Sequence, residues 1–482
     1  MAIKLDNRLS DLIDRVAQVA KKRHRGRGAA AAANFAQRFY MNVPPDDIRG
    51  TSPEDLAGAA LSLWSLMAER KPGKPKIRIF TPNVERDGWT TGHTVVEIIN
   101  DDMPFLVDSV TSALNGLGTE VRLIIHPMMW IKRDGRGRLQ KVLDDTTAGG
   151  VLHESVMHIE ISEQTQEELA PIKERLLEVL RDVRSAVEDW RPMRTSMETL
   201  ISELEENPPP LPHAEVTEAI AFLKWANDDH FTFLGYRTYH FEGRGAATRT
   251  LIDAKSGLGV LRDPEVRVFE GLRNMRKLPP DVRDFIKAPV LLRITKANKR
   301  SSVHRPAQMD TVAVKIFDKK GKVCGERLFL GLFTSVAYSR SPRDIPILRE
   351  KVANVIRRSG FRSGSHDGKA LQHILENYPR DELFEIGERD LFDISMGVLH
   401  LQERQRTALF LRFDPFERFV SCMVYVPRDR YDTALRKKLQ SILEEAYGGE
   451  VANYSTRLTD ATLAQVHVIV ETRGNRIPKV EH

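Results

Sequence analysis

Apolar positions recur every three or four residues over 6–22, where Leu9, Leu12, Ile13, Val16, Val19 and Ala20 form one stripe, so the spacing predicts an amphipathic helix. The alanine run 29–33 leads into a second helix ending at Met41, and Pro44-Pro45 stops it by removing backbone donors. Ser52-Pro53-Glu54-Asp55 reads as a helix start, with serine as the cap, proline in the first turn and acids at the positive end. That third helix runs to about Glu69, and the Lys/Pro/Gly stretch 71–75 is a linker by composition.

Beyond it the pattern changes. Residues 77–80 and 95–99 read as strands, Asn100-Asp101-Asp102-Met103-Pro104 as a turn, and Leu106, Val110, Ala113, Leu114 and Leu117 as one face of a helix closed by Gly116 and Gly118. A long strand is expected over 121–131, a hairpin at Arg133-Asp134-Gly135, and further strands over 139–143 and 156–161. Leu169, Ile172, Leu176, Leu180, Val183, Val187 and Trp190 then define a long helix that Pro192 is expected to stop. Another helix is expected over 193–206; a strand after the long helix would complete a ferredoxin-like βαββαβ layout. The proline cluster 207–212 marks a domain boundary. A helix over 216–227, a strand over 231–241, a hairpin from 312–317 to 327–333, and helices over 345–358 and 369–378 form an α+β block. The last block reads strand, strand, helix, strand, strand (407–413, 419–426, the stripe Leu435, Leu439, Ile442, Leu443, Ala446, then 451–456 and 463–470), the style of the first. The expected architecture is α+β and multidomain: a helical segment 1–70, a ferredoxin-like unit 71–206, a middle α+β domain 207–395 and a further ferredoxin-like unit 396–482.

Length and composition narrow this picture. A chain of 482 residues suggests about three domains. No apolar run approaches the roughly 18 residues that cross a bilayer, so no membrane partner is expected. The two cysteines, Cys324 and Cys422, make no disulfide framework, and residues 1–20 lack an apolar signal core, which points to a reducing cytoplasm. The net charge is only +6, but Lys21-Lys22-Arg23-His24-Arg25-Gly26-Arg27 is dense enough to attract phosphates or an acidic surface; a solvated connector between helices explains it as well.

Candidate chemistry is sparse. Neither G-x-G-x-x-G nor G-x-x-x-x-G-K-[ST] occurs, so no dinucleotide cradle is recognisable and no bound cofactor is expected. His153 and His158 are five apart on an expected strand, which is not zinc spacing; His158 and Glu160 read as a polar sheet face, and no metal site is expected. His467 likewise points away from Val466, Val468 and Val470. The segment 416–422 lacks the glycine and the stacking aromatic of RNA-recognition strands, so no nucleic acid is expected. The strand-to-helix turn at Asn100, Asp101, Asp102, Met103, Pro104 and Phe105 is the one candidate ligand site: free N–H groups at a helix start could hold a small carboxylate. Alternatively, Asp101 and Asp102 cap their own helix.

The run from Val95 to Val110, centred on Asn100-Asp101-Asp102-Met103-Pro104, resembles the start of an ACT domain, a small amino-acid-sensing βαββαβ module. With Phe231-Thr232-Phe233-Leu234-Gly235-Tyr236 and the stretches at Asp390-Leu391-Phe392 and Val426-Pro427-Arg428-Asp429, the chain resembles the N-terminal region of the large bacterial NAD-dependent glutamate dehydrogenases over residues 36–470. The resemblance implies oxidative deamination of L-glutamate with NAD by the complete enzymes, with the catalytic part C-terminal to such a region. The glycine-rich catalytic lysine segment of these enzymes is absent here, so this chain is expected to be an inactive regulatory or oligomerisation piece. Its expected partners are the remainder of the dehydrogenase, further copies of itself and an amino-acid effector, or it is a stand-alone amino-acid-binding module. Ligand-binding ACT domains place glycine after the proline of the turn; Phe105 stands there, which shifts the expectation from sensing towards assembly. ACT-like sheets carry helices on one face, and an open apolar second face would need a partner.

Overall fold

A computed structural model of the chain describes residues 7–24, 26, 28–143, 150–243, 248–268, 280–362, 364–401, 404–459, 461–473, 477, 478 and 480. Arg25 and Arg27 of the basic run lie outside them. The chain divides into two compact units, Met1–Glu188 with Ser301–Ala307, and Asp189–Arg300 with Gln308–His482.

The first unit opens with helices Asn7–Arg23, Ala29–Tyr40 and Pro53–Met67. Ser52 caps the third as expected, its hydroxyl accepting the Asp55 N–H at 3.0 Å. Six strands follow: β1 (Lys76–Phe80), β2 (Thr94–Asp101), β3 (Val121–Ile125), β4 (Met128–Arg133), β5 (Leu139–Leu143) and β6 (Val151–Ile161). The antiparallel order is β1-β2-β6-β4-β5, with β3 also on β6. The expected single strand 121–131 is therefore two. Pro127 cannot donate to a ladder, so pairing breaks at His126-Pro127 and resumes on the same partner, β6.

The helices Leu106–Gly116 and Gln166–Glu188 complete the unit. The expected strand after the second of them is not there. A further helix, Trp190–Glu206, follows at once, and Pro192 sits in its first turn rather than stopping the previous helix; that position has no intrahelical donor to lose. The place beside β2 is held instead by β1, which precedes β2 in the chain. The sheet is thus a cyclic permutation of the βαββαβ order.

In the second unit a six-stranded antiparallel sheet comprises β7 (Phe231–Glu242), β8 (Arg249–Ile252), β9 (Leu258–Gly259), β10 (Leu292–Arg300), β11 (Gln308–Phe317) and β12 (Val323–Phe333), in the order β10-β11-β12-β7-β8 with β9 on β7. The expected hairpin is β11–β12, its turn closed by the Asp318 carboxylate accepting the N–H groups of Lys320 and Lys322. Helices Leu348–Ser359, His366–Glu376, Arg380–Glu385 and Glu388–Leu401 lead to the third sheet, β13 (Ala408–Phe413), β14 (Phe419–Pro427), β15 (Gly449–Arg457) and β16 (Leu463–Thr472), ordered β13-β14-β16-β15 with helix Thr433–Tyr447 between β14 and β15. It has the same permuted layout as the first.

The first ACT-like sheet is covered on both faces, and the third is covered except at its edge strand β13, where Leu409 and Phe413 on the helix-bearing face are exposed. On the first, Ile99, Ile125, Met129, Ile131 and Val156 join Leu9, Val16, Phe35, Phe39 and Leu63 of the N-terminal helices in one core. Val96, Ile98, Met157 and Ile159 are fully buried on the opposite face, where Gln166–Glu188 packs on β1 and Leu106–Gly116 on β3. His158 is consequently not on a polar surface: it is 1% exposed, edge-on to Phe39 at 5.9 Å. On the third sheet Val420, Cys422, Val424, Val466 and Val468 pack under helix Thr433–Tyr447, while Met423, Phe410 and Tyr425 meet the core of the preceding helices. Among the described residues no helix is long and apolar enough to cross a membrane.

Candidate functional site

The turn singled out by sequence begins later than expected. Asn100 and Asp101 are the last residues of β2, paired with Ser155 and Glu154 of β6. Neither aspartate caps the following helix, whose N-cap is Phe105 with no side-chain cap. Asp101 instead accepts from Arg70 Nη2 at 2.6 Å, Arg184 Nη2 at 2.6 Å and the Gly73 N–H at 2.9 Å. Burial works against its charge, but the two guanidiniums hold the carboxyl below its usual range. Arg184 also donates to Asn100 Oδ1 at 3.0 Å. Asp102 pairs with His153 Nδ1 at 2.9 Å, and that imidazole lies flat on Trp130, centroids 3.9 Å apart. His153 and His158 project from opposite faces of β6, so they cannot share a ligand.

Behind Asp101 the network continues inward. Glu154, fully buried, receives Arg70 at 2.7 Å and Arg133 at 2.7 and 2.8 Å, and Arg133 also donates to the Met67 and Gly137 carbonyls. Two arginines around a fully buried carboxylate, itself backed by Asp101, leave each charge matched. Sequence reading missed Arg70, Arg133, Glu154 and Arg184, which stand up to 84 residues from their partners; no local signal marks them.

The start of helix Leu106–Gly116 is covered by residues of the same unit. Phe105 holds a left-handed backbone, φ 70°, and its ring lies 5.1 Å from that of His304. The His304 N–H donates to Ser109 Oγ at 2.9 Å, its Nδ1 lies 3.2 Å from Asp108, and Ser302 donates to Asp182 at 2.5 Å. Met103 and Pro104 complete the turn without side-chain polar groups.

The second unit holds a larger charged cluster, under the face of the third sheet opposite helix Thr433–Tyr447. Arg412 donates to both oxygens of Glu382 at 2.6 and 2.8 Å and lies 3.6 Å from Glu385. Lys296 bridges Asp310 (2.6 Å) and Asp381 (2.8 Å), and Arg418 donates to both oxygens of Asp414. His467 Nε2 lies 2.9 Å from Ser421 Oγ and 3.8 Å from Glu382; burial pushes its pKa down despite that carboxylate. Burial pushes Glu385 up to about 8 against the pull of Arg412 and Lys296. Of these residues His467 stands out in the sequence and Arg418 and Ser421 fall in the 416–422 segment; the others carry no local signal.

Three family models match the chain: glutamate dehydrogenase ACT1 domain over residues 35–176, helical motif 1 over 345–404 and ACT2 domain over 408–482. The chain belongs to the N-terminal region of the NAD-specific glutamate dehydrogenase family. It is 39% identical to the NAD-specific glutamate dehydrogenase of Halomonas elongata over 451 residues, 93% of this chain and 28% of that protein. It is 36% identical to the Pseudomonas aeruginosa protein of that name, covering 94% of this chain and 28% of the relative, and 29% identical to that of Mycobacterium tuberculosis, covering 80% and 22%. The chain thus spans little more than a quarter of the first two relatives. Glu154 and its arginines lie on the ACT1 segment or next to it, and Arg412, Glu382 and His467 lie where the helical motif meets ACT2.

Proposed function

We propose that this chain is the regulatory and assembly region of an NAD-dependent glutamate dehydrogenase, and that oxidation of L-glutamate to 2-oxoglutarate and ammonia, with NAD reduced to NADH, is carried by other parts of the family's longer chain. The observation that carries this reading is the match of ACT1, helical motif 1 and ACT2 to a chain spanning 28% of NAD-specific relatives. The charge clusters described above support it, because their carboxylates and arginines are matched to each other in buried networks rather than directed at a reacting centre.

Because the first ACT-like sheet is covered on both faces and the third is open only along β13, assembly falls to that strand, the sheet edges and helix surfaces. Leu409 and Phe413 on the edge strand β13 are 41% and 49% exposed, and Ile442 on the neighbouring helix is 51% exposed. An effector at the Asp102–Phe105 turn would have to displace the His304 contacts.

The purified chain, given L-glutamate and NAD, is expected to form no NADH, and light scattering is expected to find more than one copy per particle. Glutamate-dependent NADH formation by the chain would overturn the division of labour proposed here, and a strict monomer at all concentrations would remove the assembly role.

A further inference from the structure

Two adjoining hollows open where the helical motif meets the third sheet. The smaller, about 480 Å³, is bounded by Tyr338, Glu376, Arg380, Arg457 and His467. The larger, about 650 Å³, has an apolar wall of Ile374, Val398, Leu399 and Leu463. Asn377, Arg457 and Gln465 border both.

We propose that these hollows form one binding site for a small amphipathic organic carboxylate, its anionic head between Arg380 and Arg457 and its apolar body along Ile374, Val398 and Leu463.

The two arginines carry unmatched charge. Arg380 Nη2 donates to the Arg340 carbonyl at 3.0 Å, but its Nε and Nη1 are buried without an acceptor. Burying such donors without a partner is unfavourable, and an incoming acceptor removes that penalty. Burial alone already lowers the pKa of this arginine, which a bound anion would reverse. Among the described residues the acceptors of Arg457 are neutral, the backbone carbonyl and side-chain oxygen of Asn377. Neither guanidinium has a carboxylate partner among the described residues. The one carboxylate lining the smaller hollow, Glu376, is already met by Gln372 at 2.9 Å and Arg343 at 3.7 Å. This contrasts with the neighbouring network, where Arg412 and Arg418 each grip a carboxylate through two bonds.

The shape of the hollows suits an organic acid. His467, nine-tenths buried and tied to Ser421, gives the smaller hollow a fixed, uncharged polar wall next to the two arginines. The apolar wall of the larger hollow begins at the shared border, so a ligand seated on the arginines places its remaining atoms there. An inorganic anion makes no use of that wall; an organic acid does. The site lies on the helical-motif side of the third sheet, far in sequence from the Asn100–Phe105 turn, and it does not depend on the regulatory reading above.

The test is calorimetric titration of the whole chain with hexanoate, benzoate and glutarate at millimolar concentration, with inorganic phosphate as a fourth probe. At least one carboxylate is expected to bind, with affinity about tenfold or more weaker in Arg380→Gln and in Arg457→Gln, the loss of one charge-assisted contact. Arg122→Gln, a surface arginine of the first unit, is expected to leave the titration unchanged. If either Gln variant fails to fold by circular dichroism, Arg380→Lys and Arg457→Lys decide, and they are expected to bind more weakly than the parent chain. No heat with any carboxylate overturns the proposal. So does binding that the arginine substitutions leave unaltered, which marks a different site, and so does binding of phosphate alone.

Discussion

Arg412 and Glu382 meet in a two-bond fork, 2.6 and 2.8 Å long, with side chains only 5% and 3% exposed. The fork joins β13 of the ACT2 segment to the short helix Arg380–Glu385 of the helical motif, so the two family segments share one buried ion pair. Removing one partner leaves the other charged in a low-dielectric interior. Arg412→Ala strands Glu382 and leaves Glu385 without its nearest cation. We expect a loss of about 3–5 kcal/mol, read as a lower urea midpoint for the transition that includes the third sheet. A loss comparable to that of an exposed pair, such as Arg473–Glu450, would show that the fork contributes little.

Glu385 gives the same cluster a pH dependence. Its carboxyl is pushed up to about 8, chiefly by burial, whereas in the unfolded chain it titrates in the ordinary range. The folded state therefore holds a proton that the unfolded state has released. The associated stability is fully present below the unfolded pKa and is lost as pH rises through the folded pKa. His467 is shifted in the opposite sense and is neutral in both states above its usual range. From about pH 7 to about pH 8 the remaining loss belongs to the buried carboxyl groups, before the buried Lys351, lowered to about 8, sheds its proton and acts in the opposite sense. Glu385→Gln keeps the shape and removes the proton equilibrium, so its melting temperature is expected to fall less over that window than that of the parent chain. Parallel curves for the two proteins would exclude Glu385 as the source.

The helix Pro53–Met67 carries a glycine whose place is set by one neighbour. A Cβ built on Gly58 would lie 2.3 Å from Trp89 Cβ and 2.4 Å from its Cγ, and Trp89 is itself 3% exposed. Alanine would gain roughly 1 kcal/mol of helix propensity at this position. Forcing the ring aside costs about 1–3 kcal/mol. The second term wins, so Gly58→Ala is expected to lower the melting temperature. A stabilised variant would mean that Trp89 repacks freely.

What could be read from the sequence divides along physical lines. The helices were legible because their stripes repeat locally: Leu9, Ile13, Val16 and Ala20, and Ile172, Leu176, Leu180 and Val183, are buried as the spacing implies, while Leu169 and Val187 are half-buried and Trp190, 41% exposed, opens the next helix. The ββαββ order of the last block was legible for the same reason. Pro127 was visible, but its effect was not, because Val121, Leu123, Ile124, Met129 and Ile131 are as strand-like as a continuous strand would be. The polar face assigned to His158 failed because Phe39, more than a hundred residues away, covers it; nothing near His158 reports that. The partners of Asp101 and Arg412 are likewise set by tertiary pairing. Arginines such as Arg70 and Arg184 look in sequence like any charged helix-end residue.

Phe105 is where resemblance and structure bear on the same atoms. The family pattern has glycine after the proline, and this backbone keeps the left-handed angle that favours glycine, φ 70°, with a phenylalanine in its place. An L-residue there bears about 1–2 kcal/mol of strain. The ring contact with His304 offsets part of that cost. Substitution separates the two terms. Phe105→Ala discards the ring and keeps the strain; Phe105→Gly discards both. Glycine is therefore expected to be the more stable of the two variants by about 1 kcal/mol, net of its greater unfolded-state freedom. Chemical denaturation of both proteins checks the order. If alanine is equal or better, the backbone at Phe105 is unstrained or rearranges on substitution, and φ is not what favours glycine at this position. If the order holds, the turn has retained the geometry of a glycine site while His304 and Phe105 occupy the space above it.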